Sequence, residues 1–293
     1  MPVHVPVMTA EVLTLLRPER GGFFVDCTAG LGGHMRALLQ AGADRLLGLD
    51  RDGEALAIAR RELAPWADRI ELVRADFREL AAVLEARGVR EIDGALADLG
   101  VSSLQLASGR GFSFQHDEPL DMRMDRTATT TAADAVNNLS ERELADVIYE
   151  YGEERHSRRV ARRIVEARAR KPLGTTAELA AIVRRAVPRG RSRIDPATRT
   201  FQALRIWVNR ELDHLDRFLR EVAERLKAGG RMVLVSFHSL EDRIVKQTLR
   251  ALERSERVAL RVLTRKPLRP QGAELAANPR ARSAKLRAAE RVG

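Results

Sequence analysis

The sequence predicts an α/β fold, a parallel sheet interrupted after its fourth strand by an all-helical insert. Three observations carry this. Short apolar runs alternate with helical periodicity up to residue 100, the pattern of strands covered on both faces by crossover helices. The first four runs close on, or just before, an acid: Asp26, Asp50, Asp76 and Asp98. From Val101 the alternation stops and helix signals take over, until one more apolar strand appears at Arg231–Phe237.

The elements follow in order. A short amphipathic helix is expected over Thr9–Leu16, ending before Pro18. Phe23-Phe24-Val25-Asp26 is the first strand and runs into Cys27-Thr28-Ala29-Gly30-Leu31-Gly32-Gly33-His34. A strand, a glycine loop and then a helix from Met35 to Ala41 bring backbone N–H groups close to a bound small molecule. A Cβ at such glycines would block the ligand or forbid a positive φ. Further strands are expected at Arg45–Asp50, Ile70–Arg74 and Ile92–Ala97, with helices at Glu54–Leu63 and Glu79–Arg87. In such sheets the ligand lies beyond the carboxyl ends of the strands, where the four acids stand. A dinucleotide fingerprint would need glycines at 30, 32 and 35, but residue 35 is Met. Asp50 suits a ribose diol, and Asp76-Phe77 offers a polar group and a flat face for adenine. An adenosine cofactor without pyrophosphate fits this set, S-adenosylmethionine first. The competing reading is that Asp50 and Asp76 only cap helices.

Ser102–Asp125 has no clear period and reads as a functional loop or lid. Ser140-x-x-Glu143 and Thr175-x-x-Glu178 are capping boxes that open helices. Between them a helix is expected over Glu153–Arg170. Asp195-Pro196 starts another with proline at its first position, continuing toward Leu226. After Arg231–Phe237 come a helix at Glu241–Arg254, a strand at Val258–Leu263 and a last strand within Ser283–Glu290. The expected organisation is a sheet domain in two parts, 1–108 and 211–293, with a helical insert at 109–210 for substrate recognition.

The 293 residues carry 51 Lys and Arg against 41 Asp and Glu, a net charge of +10. That balance favours a polyanionic partner, RNA or DNA. Basic residues crowd the insert at Arg155, Arg158, Arg159, Arg162, Arg163, Arg168, Arg170 and Lys171, then at Arg184, Arg185, Arg189, Arg191 and Arg193. They cover more than one helix face, so some are simply solvated. A single cysteine, Cys27, allows no disulfide framework, and the six histidines show no paired metal-binding spacing. No apolar run is long enough to span a membrane, so a soluble cytoplasmic protein, monomer or homodimer, is expected.

Several segments together resemble one family. They are Thr28–His34, Asp50-Arg51-Asp52, Asp98–Ser103, Gly111-Phe112-Ser113-Phe114, Leu120–Asp125, Tyr151–Arg155, Pro196–Ile206, Ser236–Arg243 and Asn278–Ser283. In this combination and order, over nearly the whole chain, the sequence resembles the ribosomal RNA small-subunit methyltransferase H (MraW) family. The resemblance implies a class I S-adenosylmethionine-dependent methyltransferase sheet, Rossmann-like, with an inserted all-helical domain. It implies N4-methylation of one cytidine in the decoding region of 16S rRNA, with the small ribosomal subunit as partner. It places cofactor contacts on Gly32, Gly33, His34, Asp50, Phe77, Asp98 and Gln105. Arg123, Arg199, Arg205, Arg280 and Arg282, all within these segments, are the arginines expected on RNA. Met35 stands where the family usually has a small hydroxyl residue, and Leu104 where it has proline.

The exocyclic amine of cytosine is a poor nucleophile, so it must be held in line with the methyl group. Asp98 is the expected polar acceptor for that amine, or alternatively for the cofactor's amino group. His238, after the fifth strand, is a candidate general base or equally a cap on the next helix. Phe112, Phe114 and Phe201 are candidates for base stacking or for core. Two other classes compete. An RNA-binding protein without cofactor would not bind S-adenosylmethionine, and an NAD-dependent oxidoreductase is disfavoured by Met35.

Overall fold

The apolar runs form strands where they were expected: β1 (Phe23–Asp26), β2 (Arg45–Asp50), β3 (Ile70–Arg74) and β4 (Ile92–Asp98). The structure is a computed structural model in which residues 6–188 and 194–293 are described. The chain divides into one unit, Met1–Gly100 with Leu212–Gly293, and a second, Val101–Glu211. These divisions fall at 100/101 and 211/212, where the sequence pattern points to 108/109 and 210/211.

The first unit is a seven-stranded sheet in the order β3-β2-β1-β4-β5-β7-β6. Here β5 is Leu226–Ser236, β6 is Leu260–Val262 and β7 is Lys285–Arg291. The first five strands run parallel, and β7 runs antiparallel to both β5 and β6. Strand side chains alternate between two cores. Val25, Leu47 and Leu49 face a cluster with Leu80, Phe218, Val222, Val245 and Leu249. Phe24, Leu46 and Leu96 face another with Val12, Leu16, Leu38 and Leu56. The first cluster takes its residues from helices α4 (Leu80–Glu85), α11 (Leu215–Arg225) and α12 (Ser239–Glu253). The second takes them from α1 (Thr9–Leu16), α2 (Gly33–Gln40) and α3 (Gly53–Glu62). A short helix α13 (Gly272–Ala277) precedes β7.

Three boundaries differ from expectation. The strand expected at Arg231–Phe237 begins earlier: Lys227–Gly230, glycine-bearing like a turn, lie inside β5, where the register with β4 shifts between Ile92 and Gly94. Lys227 pairs with Asp93 across this bulge at 2.8 Å. The strand expected at Val258–Leu263 is the shorter β6, and the last strand begins at Lys285.

The second unit holds α5 (Ser103–Ala107), α6 (Ala132–Asn138), α7 (Glu141–Gly152), α8 (Ser157–Arg168), α9 (Thr176–Ala186) and α10 (Ala197–Asn209). Ser140 and Thr175 make the expected capping boxes on α7 and α9. The helix expected from Glu153 starts at Ser157, because Glu153 turns left-handed at φ 50° and ends α7. The long helix expected from Pro196 to Leu226 is two helices, since Arg210 (φ 51°) ends α10 and His214 (φ 57°) precedes α11.

The stretch expected to be a lid is packed instead. Phe112, Leu120, Met122 and Met124 are buried in the core of this unit. The Asn209 amide accepts from the Met124 N–H and donates to the Met122 carbonyl, at 2.8 and 2.7 Å. Gly111 has φ +76°, and a Cβ there would meet the Pro119 carbonyl at 2.2 Å, so only glycine fits this turn. Phe201 is buried and meets Phe114 edge-on at 4.9 Å. These three phenylalanines are therefore core, not a stacking platform.

Candidate active site

The chain order β1, β2, β3 runs outward on one side of β1, and β4 returns on the other. That reversal opens a crevice at the carboxyl ends of β1 and β4, and three ionisable side chains meet there. Asp26 ends β1 and Asp98 ends β4. His34 lies in the first turn of α2.

Asp26 is fully buried and His34 is 5% exposed. The N–H and hydroxyl of Thr28 both donate to Asp26 Oδ1, at 3.0 and 3.3 Å. The Thr28 hydroxyl also accepts from the Asp98 N–H at 2.7 Å. His34 Nε2 lies 3.5 Å from Asp98 Oδ2, close enough to pair as charges without a well-formed hydrogen bond. Four residues from three segments are thus linked in a cluster, Asp26 to Thr28, Thr28 to Asp98 and Asp98 to His34.

Asp26 Oδ2, both ring nitrogens of His34 and Asp98 Oδ1 are buried and have no hydrogen-bond partner among the described residues. Buried polar atoms left this way are costly and uncommon, so four in one cluster mark a site with a task. Burial pushes the Asp26 carboxyl up to about 6, against a smaller lowering by His34. Burial works to lower the His34 imidazole, but Asp98, then Asp26 and Glu274, outweigh it and hold it above its ordinary range. Buried acids around an imidazole with displaced protonation are a pattern of functional sites.

Asp50 ends β2, the strand next to β1. Its Oδ2 accepts the Gly30 N–H and its Oδ1 the Asp52 N–H, both at 2.8 Å. Each oxygen keeps a lone pair for a further donor. Burial raises this carboxyl too.

The glycine loop is shaped first by the protein. Gly32 has φ +83°, and a Cβ there would touch Leu63 at 3.0 Å. A Cβ on Gly33 would meet Pro6 at 3.2 Å. Gly32 also brings no side chain to cap α2, so among the described residues the first-turn N–H groups have no side-chain cap and suit an anionic group. Met35 is fully buried and fills the space over Gly48, where a Cβ would meet its sulfur at 2.5 Å. The methionine in place of a small residue is thus matched by a glycine in β2.

The remaining candidates are engaged by other contacts. Asp76 accepts from the Arg78 backbone N–H and pairs with the Arg78 and Arg51 guanidinium groups, so it caps the next turn rather than receiving a ligand. Phe77 is 7% exposed, with its ring against Phe218 at 4.9 Å, so its face belongs to the core. His238 caps α12: its Nδ1 accepts the Glu241 N–H, and its Nε2 lies 3.1 Å from the same residue's carboxylate. Both ring nitrogens face Glu241, which is the capping alternative. In the second unit, Gln105 is buried and its Oε1 accepts the Ser102 N–H in a capping box on α5.

The arginines expected on RNA divide. Arg123 forks onto Asp121 and also donates to the Ala128 carbonyl. Arg205 forks onto Glu211 with both contacts at 2.8 Å. Arg199 is half exposed, 3.7 Å from Glu154. Arg282 is exposed. The Arg280 side chain, and Arg189, Arg191 and Arg193, lie outside the described residues. Arg158 and Arg159 on α8 are exposed and have no ion-pair partner among the described residues.

In the sequence Asp26 stands only as one of four strand-end acids, outside the expected site. Its signal is the Thr28 two residues on, whose N–H and hydroxyl both bond back to its carboxylate. No helix among the described residues is long and apolar enough to cross a membrane.

A sheet of this order with only β7 reversed is the class I methyltransferase sheet. A family model, the MraW methylase family, matches residues 1–292. The ribosomal RNA small subunit methyltransferase H of Syntrophotalea carbinolica is 54% identical over 99% of this chain and 98% of its own length. The protein of the same name from Thermotoga neapolitana is 50% identical over 99% of this chain and 96% of its own. A crystal structure of an rRNA methylase from Streptococcus thermophilus, 12% identical, covers 97% of this chain and 94% of that one with a TM-score of 0.43, too loose a likeness to argue from. Matched along its length by the model and by relatives half identical to it, the chain belongs to the MraW methylase family.

Proposed function

We propose that this protein transfers a methyl group from S-adenosylmethionine to N4 of one cytidine in the decoding region of 16S rRNA. Relatives sharing about half its residues are named for methylation of small-subunit ribosomal RNA. The residues at the crevice fit the cofactor. Asp50 has free lone pairs for ribose hydroxyls, and the uncapped N-terminus of α2 offers N–H groups to the cofactor's carboxylate. S-Adenosylmethionine, when bound, supplies a methyl group on a positively charged sulfur.

The observation that carries the reading is Asp98 Oδ1, a buried carboxylate oxygen at the end of β4 without a hydrogen-bond partner among the described residues. An amine delocalised into a cytosine ring gains nucleophilicity when an acceptor holds its N–H, and it must lose a proton once methylated. Asp98 is the residue for both tasks. The base reaches it by being flipped or by lying in a single strand.

Mapping modified nucleotides by mass, in small-subunit RNA from cells lacking this protein, tests substrate and chemistry together. One cytidine N4-methyl group should disappear and return with the wild-type protein. With Asp98→Ala it should not return, and transfer in vitro should fall by at least ~10²-fold. A folded Asp98→Ala protein that methylates at the wild-type rate would overturn the role of Asp98.

A further inference from the structure

Pro6, Val7 and Met8 precede α1, and all three are buried. Val7 and Met8 belong to the core cluster with Val12, Leu38 and Leu56. Pro6 packs on the glycine loop, where a Cβ on Gly33 would meet its ring at 3.2 Å. The neighbouring Gly32 rests on Leu63 and Ala59 at the end of α3, which a Cβ there would meet at 3.0 and 3.4 Å. The Gly32-Gly33 turn therefore has two supports. The one from α3 is part of a helix with its own buried face, Ala55, Leu56 and Ala59. The one from Pro6 lies in no strand or helix.

What fixes Pro6 is the residue two places on. Met8 is left-handed, with φ 54° and ψ 38°, a conformation that an L side chain adopts at a cost. It is fully buried, so its N–H needs an acceptor inside the protein. That acceptor is Glu274 Oε1 on α13, at 2.5 Å and 266 positions away in the chain. The Thr9 hydroxyl donates to the Pro6 carbonyl at 3.0 Å, and the Val12 N–H to the Met8 carbonyl at 2.9 Å. Pro6, Met8 and the start of α1 are thus tied into one piece, which Glu274 fastens.

We propose that Glu274 is a positioning residue for the cofactor: by holding the Met8 N–H it keeps Pro6 against Gly33, and so keeps the Gly32–His34 turn in the shape that binds S-adenosylmethionine. This rests on the reading that the turn receives the cofactor. Without the Glu274 oxygen, a left-handed residue would keep a buried N–H with no acceptor, and the segment would leave Gly33. Glu274 is also one of the acids that raise the His34 imidazole, so a test has to separate bond from charge. Glu274→Gln keeps an oxygen for the Met8 N–H and removes the charge, whereas Glu274→Ala removes both. Pro6→Ala leaves Glu274 in place and takes the ring off Gly33.

The full chain is titrated with S-adenosylmethionine by calorimetry, and methyl transfer is followed on small-subunit particles. Glu274→Ala should weaken cofactor binding about tenfold, the scale of one buried hydrogen bond lost. KM for S-adenosylmethionine should rise with it while kcat stays within about threefold, the signature of lost binding rather than of a lost transition-state contact. Glu274→Gln should keep affinity within about threefold of wild type, since the bond is retained. Pro6→Ala should weaken binding as Glu274→Ala does, and the double variant should be no worse, because both act through one contact. Wild-type affinity in Glu274→Ala overturns the proposal, as does a fully additive loss in the double variant. An affinity in Glu274→Gln as low as in Glu274→Ala overturns it too, since charge would then be the cause. If Glu274→Ala fails to fold, Pro6→Ala decides, and wild-type affinity in it overturns the proposal. Hydrogen exchange on the wild-type protein keeps the underlying reading separate: bound S-adenosylmethionine should slow the amides of Gly32–Met35. If it does not, the turn is not where the cofactor binds and both fall. If it does and Glu274→Ala binds as the wild type does, the positioning role alone falls.

Discussion

Burial of Asp26 costs the fold stability as pH rises. It is the most buried acid of the site, and its carboxyl is raised to about 6 from an ordinary 3.8. Between those values the folded protein holds a proton that the unfolded chain has released. The associated stability is complete below pH ~4 and is lost as pH rises through ~6, which amounts to ~3 kcal/mol at neutral pH. Asp26→Asn should therefore make the protein more stable at pH 7.5, by about 1–3 kcal/mol. Urea unfolding of both proteins from pH 4.5 to 7.5 measures this. The gap between them should widen with pH, and a constant gap would mean that the carboxylate is not strained by burial. The identity of this acid was legible as a strand end, as were Asp50 and Asp98. That its carboxylate would be fully buried, held by Thr28 alone among the described residues, was not, because burial depends on how the loop after β1 folds back. Asp76 shows the converse. It has the same sequence signature, yet Arg51 and Arg78 occupy it, and nothing in strand periodicity reveals which acids find arginines.

Elements were legible where their ends are set by side-chain chemistry within one turn. Ser140 and Glu143 exchange hydrogen bonds with each other's backbone at 3.2 and 2.8 Å, and both residue types stand in the sequence at the spacing this requires. Ends made by left-handed non-glycine residues were illegible. Glu153, Arg210 and His214 break helices at φ 50°, 51° and 57°, and none of them is a residue type that announces such a turn. The bulge of β5 was hidden for a similar reason, since its glycines read equally well as a turn. The cap on α7 gives a direct check. Ser140→Ala removes the acceptor for the Glu143 N–H and should cost about 1 kcal/mol, within the usual span for such caps. Chemical denaturation is the measurement. A loss above ~2 kcal/mol would show that Ser140 supports more than the helix start.

Across the whole molecule, the sheet unit carries the crevice and the helical unit carries a run of arginines, and a net charge of +10 belongs to both. Net charge alone cannot say where RNA lies, but pairing narrows it. Arg123 and Arg205, read from motifs as RNA contacts, spend their guanidinium groups on Asp121 and Glu211. On α8 the buried face is Val160, Ala161 and Ile164. On its exposed side Arg162 and Arg163 meet Glu141 and Glu166, while Arg158 and Arg159 meet no acid among the described residues. An unpaired arginine has no partner to give up before it binds phosphate, so these two should contribute more to affinity than their paired neighbours. Reversing both, Arg158→Glu with Arg159→Glu, should weaken binding of small-subunit RNA. It should also flatten the dependence of log K on log salt, by about 0.7 for each single-strand phosphate that the protein no longer neutralises. Affinity for S-adenosylmethionine and thermal stability should hold, because both side chains are exposed. Binding titrations between about 50 and 200 mM salt, a range chosen on counterion-release grounds, separate the cases. A lower affinity with a flatter slope places RNA along α8, whereas an unchanged slope moves its path off this helix.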